Sequence, residues 1–80
     1  MADLVELERM IAEALPGADV SVVDEGGGDH LRAIVTAPQF EGLTRIYQHR
    51  LVRTAVKPRM DDGTIHALSI STTAPGTQSH

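Results

Sequence analysis

Two runs with alternating polarity, at 30–36 and 64–72, flank a helix-periodic stretch at 43–57, and this order limits the fold more than any other feature of the chain. In the first run Leu31, Ala33 and Val35 fall on one side of a strand, and in the second His66, Leu68 and Ile70 do. A strand–helix–strand succession in one sheet is closed by a right-handed crossover that leaves the two strands parallel. A further run at 18–24, with Val20, Val22 and Val23, suits a pleated strand and ends in Glu25-Gly26-Gly27-Gly28-Asp29. That glycine-rich connection predicts an antiparallel hairpin with a flexible loop, and so a mixed three-stranded sheet.

The remaining periodic segment opens the chain. Leu4, Leu7, Ile11 and Leu15 recur every three or four residues, which predicts an amphipathic helix over 3–15 with Glu6, Glu8 and Glu13 turned to solvent. Asp3 is placed to cap it, and Pro16-Gly17 stops it. Pro38 and Gly42 bend the chain after the second strand, and Phe40 between them is expected to fold inward. For the second helix the apolar positions Leu43, Ile46, Tyr47, Leu51 and Ala55 predict the buried stripe, and Pro58 its end. Asp61-Asp62-Gly63 reads as a turn. The predicted architecture is α-β-β-α-β, an α+β domain with helices on one face of the sheet.

Eighty residues suffice for one domain, because a chain this short buries only about 60% of its unfolded surface and cannot divide its core. The domain is expected over 1–75 and a flexible tail over 76–80. Phe40 and Tyr47 are the only aromatics, so the core should be aliphatic. There is no cysteine, which removes disulfides, thiolate nucleophiles and any self-contained cysteine metal cage. No apolar run approaches the roughly 20 residues of a membrane span, and no basic flank and apolar segment mark a leader, so a reducing cytoplasm is the expected setting.

The net charge of −4 conceals an asymmetry. Residues 1–29 hold eight carboxylates against Arg9, whereas residues 30–60 hold Arg32, Arg45, Arg50, Arg53, Lys57 and Arg59 against Glu41. Arg45, His49, Arg53 and Lys57 are four apart and would stack into one basic ridge on a helix. Such a ridge is either a solvated face or a contact for an anionic partner. Nucleotide and hydrolase signatures are missing: Gly26-Gly27-Gly28 has neither the spacing nor the following helix of a phosphate cradle, and there is no nucleophile elbow or metalloprotease helix.

Several spaced motifs then fall in order: His30-Leu31, Phe40-Glu41-Gly42, Gln48-His49-Arg50-Leu51-Val52, Ile65-His66-Ala67-Leu68 and Thr72-Thr73-Ala74-Pro75. Over residues 4–75 this series resembles the BolA-like family, whose pattern has Phe after the strand histidine where this chain has Leu31, and Arg where it has Gln48. The short hairpin loop and Gln48 look closer to the family's small acid-stress branch than to its transcription-regulator branch. The resemblance implies a class II KH-like fold, no enzymatic activity, and a partnership with a monothiol glutaredoxin in which a [2Fe–2S] cluster is shared. It implies His66 as a cluster ligand and a second ligand from the hairpin loop, where His30 is the candidate and Asp29 a weaker one. A strand histidine can equally hydrogen-bond a neighbouring carbonyl, and His30 can equally face plain solvent.

Imidazole can replace thiolate at iron, as in Rieske centres. A cysteine-free chain would therefore hold a cluster only together with a partner's sulfur, and none when alone, as a monomer or weak homodimer. The rival reading is nucleic-acid binding by a transcriptional regulator through Arg45, His49, Arg50, Arg53 and Lys57 on a KH-like surface. Against it, the place of the KH clamp's G-x-x-G loop is taken by Pro38-Gln39-Phe40-Glu41-Gly42, with an acid where phosphate would lie, and a pI of about 5.4 is not that of a dedicated binder. Weak DNA contact remains compatible with the sequence.

Overall fold

Asp3 caps helix α1 (Leu4–Ala14) by accepting from the backbone N–H groups of Val5 and Glu6 at 3.0 and 3.3 Å. The computed structural model describes residues 3–27 and 30–75, so the expected tail at 76–80, and Gly28 and Asp29 of the hairpin loop, lie outside the described residues. Gly17, at φ 85°, takes the left-handed conformation that ends the α1 region and turns the chain into strand β1 (Asp19–Gly26). Strand β2 (His30–Thr36) pairs antiparallel with β1, and strand β3 (Ala67–Thr73) pairs parallel with β2, in the order β1-β2-β3. The register slips by one residue between Asp24 and Gly26, a bulge at the hairpin end. The fold class and sheet topology are those expected.

Between β2 and β3 come a 3-10 turn (Pro38–Phe40), helix α2 (Arg45–Ala55) and a short helix α3 (Lys57–Asp61). Leu31, Ala33 and Val35 point to the helices and are fully buried, together with Leu7 and Ile11 of α1 and Val52 of α2. Phe40 has no exposed surface, as the turn chemistry around it predicts, and its burial contributes about 1.5–3 kcal/mol. Val23 and Ile34 lie on the other side of the sheet and stay exposed.

Four expectations are corrected. The buried stripe of α2 is not Leu43, Ile46, Tyr47 and Leu51: Ile46 and Tyr47 are 71% and 55% exposed, Leu43 and Leu51 more than a third, and only Ala55 is half-buried. Val52 and, at the helix end, Val56 are buried instead, with Gln48 above them. Gln48 turns inward because its amide is satisfied there, donating to the carbonyls of Phe40 and Leu43 at 3.2 and 3.0 Å and accepting from Thr72 Oγ1 at 2.6 Å. A hydropathy pattern assigns such a residue to solvent.

Pro58 does not end the second helix. The chain breaks at Val56, and Pro58 sits in the first turn of α3, where a missing N–H costs nothing. Glu8 is not simply solvated, since its Oε2 accepts the Val22 N–H at 2.9 Å. Finally, β3 begins at Ala67 rather than at 64, which leaves His66 just before the strand.

Candidate functional site

The histidine-bearing end of the sheet is built by the β2–β3 register. His30, first residue of β2, is paired with Ala67, the first of β3, so His66 lies one residue from the position facing His30. Neighbouring strands lie about 4.8 Å apart with a rise of about 3.3 Å per residue, so the two residues belong to the same end of the sheet. Both residues are exposed. By alternation His30 shares the helix-free face with Arg32 and Ile34, whereas His66 precedes the strand and is not bound to either face by it.

The backbone around His66 is anchored on both sides. Ile65 is 3% exposed and its N–H donates to the carbonyl of Arg59 at 3.1 Å, while Ala67 starts the ladder to β2. The guanidinium of Arg59 donates to Asp62 Oδ2 at 2.7 Å and lies 3.8 Å from Glu6 Oε1, joining α3, α1 and the loop that leads to His66. Its Nε is buried without a hydrogen-bond partner within reach. Asp62 Oδ1 accepts the Thr64 N–H at 2.8 Å, and the bonds from Thr64, aided by the charge of Arg59, hold the Asp62 carboxyl below the usual carboxylate range. This is a small, tied loop presenting a histidine.

Arg32 was not singled out by sequence reasoning, although a two-residue step from His30 puts it on the same face. Its Nε donates to Glu25 Oε2 at 2.8 Å and its terminal nitrogen to Ser71 Oγ at 3.0 Å, so one side chain crosses the open face from β1 to β3. Arg59 was equally hidden, because nothing local shows that a helix residue will anchor a distant loop.

The basic residues line two clefts, neither of which is lined by His30 or His66. Arg45 and His49 line a shallow cleft with Ile70, Ser71 and Thr72 of β3. Arg50, Arg53 and Lys57 line a second, with Met60 and Asp61. Lys57 already donates to Asp61 Oδ2 at 2.8 Å, and the Arg50 guanidinium lies 5.3 Å from the centre of the Tyr47 ring. Of the expected four-residue ridge, Arg45, His49 and Arg53 lie on α2, while Lys57 opens α3 and shares the second cleft with Arg53.

Among the described residues no three histidine, cysteine or carboxylate side chains gather as a metal site. The donor set consists of two imidazoles at one end of a sheet. No helix among the described residues is long and apolar enough to cross a membrane.

A three-stranded mixed sheet covered by helices on one face, with exposed histidines where its parallel pair begins, defines an α+β domain of one known architecture. The chain belongs to the BolA-like protein family, whose sequence profile matches residues 12–77. It is similar to a BolA-like protein of Dictyostelium discoideum, 30% identical over 78 residues that cover 88% of this chain and 68% of that protein. It is also similar to human BolA-like protein 1, 38% identical over 77 residues covering 86% of this chain and 56% of the human protein. The structure of a bolA protein homologue from Coxiella burnetii superposes over the whole of both chains with a TM-score of 0.80 at 36% identity.

Proposed function

We propose that this protein is a non-enzymatic cytoplasmic adaptor that docks on a monothiol glutaredoxin and shares a [2Fe–2S] cluster with it for iron–sulfur trafficking or iron regulation. The observation that carries the reading is the exposed His66, on a backbone anchored by Ile65 and β3, at the same end of the sheet as His30, whose register partner is the next residue, Ala67. The donor set fits a shared cluster. Iron in such clusters is held by thiolates, which imidazoles can replace at one iron, and a chain without cysteine supplies two of four ligands at most from these residues. The other ligands come from the partner's cysteine and bound glutathione. His66 is the principal ligand of this chain and His30 the second.

Membership of the BolA-like family supports the same reading. The nucleic-acid reading has less to stand on, since Lys57 is paired with Asp61 and the remaining cations are split between two clefts in a chain of net charge −4. The test is anaerobic reconstitution of the two proteins with iron, sulfide and glutathione, read by visible absorption and circular dichroism. His66→Ala should abolish the mixed-cluster spectrum and His30→Ala weaken it, both with an unchanged far-ultraviolet spectrum. A mixed-cluster spectrum identical with and without the His66 ring removes that residue from the site.

A further inference from the structure

The two outer edges of the sheet are built differently. β2 lies between β1 and β3, so among the described residues each of those strands has one side without a neighbouring strand. Two hydrogen bonds reveal which backbone groups look outward. Val22 N–H on β1 donates away from β2 to Glu8 Oε2. On β3 the Thr73 carbonyl accepts the Ala37 N–H at 3.2 Å, so Thr73 looks toward the β2 side, and by alternation Leu68, Ile70 and Thr72 turn their N–H and C=O groups outward. No backbone partner on that side is seen among the described residues.

Natural sheets blunt such edges with charge, bulges, proline or a covering side chain. β1 has three of these devices: Glu8 on the Val22 N–H, the bulge at Asp24–Gly26, and the acids Asp19 and Glu25. Among the described residues β3 has none, being seven uncharged residues in unbroken register with β2. Beside it lies the cleft of Arg45, His49, Ile70, Ser71 and Thr72. Ile70 and Thr72 belong to the helix-side face by their pairing with Ala33 and Val35, and Ser71 to the open face by its pairing with Ile34, so a cleft touching all three follows the strand edge itself. Arg45 has no acidic partner among the described residues, and α2 contains no acid.

We propose that the outer edge of β3 is a docking site for an extended, carboxylate-bearing segment of a partner protein. The segment adds a fourth strand through the backbone of Leu68, Ile70 and Thr72 and sets an acidic side chain against Arg45 and His49. The site uses neither His30 nor His66 and stands apart from the cluster reading. A second copy of the chain is a poor occupant: its acidic edge, β1, is the guarded one, and β3 against β3 brings no acid to Arg45.

The experiment titrates the 15N-labelled full chain with a short acetylated peptide of alternating valine and threonine carrying one glutamate, and with its glutamine twin. Amide exchange should slow at Leu68, Ile70 and Thr72 and stay unchanged at Ser69 and Ser71, whose N–H groups already face β2. The glutamine twin, and Arg45→Ala with the glutamate peptide, should each bind about threefold more weakly, the size expected of one exposed charge pair. Absence of protection at the three amides up to millimolar peptide overturns the proposal, as do equal affinities for the two peptides. Protection that appears with protein concentration alone assigns the edge to a second copy, and protection by short single-stranded DNA but not by peptide assigns it to nucleic acid; either result also overturns it.

Discussion

The orientation of α2 can be tested by a pair of truncations that reverse what hydropathy suggests. Val52 is completely buried and Ile46 is 71% exposed, although isoleucine is the larger and more apolar side chain. Val52→Ala removes two methyl groups from the core, about 1.6 kcal/mol at about 0.8 kcal/mol each. The void left behind adds roughly 0.5–1 kcal/mol, and the better helix propensity of alanine returns roughly 0.5, for a net loss of about 2 kcal/mol. Ile46→Ala loses little buried area and gains the same propensity, so its cost should stay within about 0.5 kcal/mol. Against a total of roughly 4–12 kcal/mol for a chain of this length, the Val52 variant still folds, with a Tm lower by about 10 °C. Urea unfolding followed by circular dichroism measures both, with an unchanged m-value as the control. An Ile46→Ala cost equal to or above that of Val52→Ala would mean that α2 presents the Leu43, Ile46, Tyr47 and Leu51 side to the sheet, and would refute the reasoning.

Removal of the Glu8 carboxylate in Glu8→Ala should cost about 1–2 kcal/mol and speed amide exchange at Val22 selectively, because a charged acceptor of that N–H is lost; unchanged exchange there would contradict the edge-guarding role. Asp62 titrates below the ordinary aspartate range because of its bonds to Thr64 and the nearby Arg59, so its contribution is present above the unfolded pKa and disappears as pH falls through the lower folded value. Asp62→Asn should accordingly flatten the acid limb of the stability profile, and a carboxyl chemical-shift titration of Asp62 at or above the usual aspartate range would disprove the shift. Gly42 has a φ of 82° and open space where a Cβ would stand, so Gly42→Ala should lose about 1–2 kcal/mol from backbone strain alone, measured by urea unfolding.

Local chemistry made most of the architecture legible. Asp3 and Pro16-Gly17 bracket the first helix, β-branched alternation marks the strands, and the strand–helix–strand order dictates the parallel pair. These signals act over a few residues, within reach of a reading along the chain. His66 and His30 were visible as candidates because their motif neighbours are local too.

What the sequence alone determined is therefore the two long helices, the three strands, their order and their pairing sense, since caps, turns and alternation are properties of neighbouring residues, whereas the short helix α3 at Pro58 was not among them. Tertiary structure decided which side of α2 is buried, because Gln48 finds its partners at Phe40, Leu43 and Thr72, one of them 24 residues away. It also decided that Glu8 guards an edge, that Arg59 ties down the loop before His66, and that the β2–β3 register starts the parallel pair at His30 and Ala67, one residue after His66. A polar group's place depends on where its hydrogen-bonding partners come to rest, and for these residues the partners are brought in only by packing.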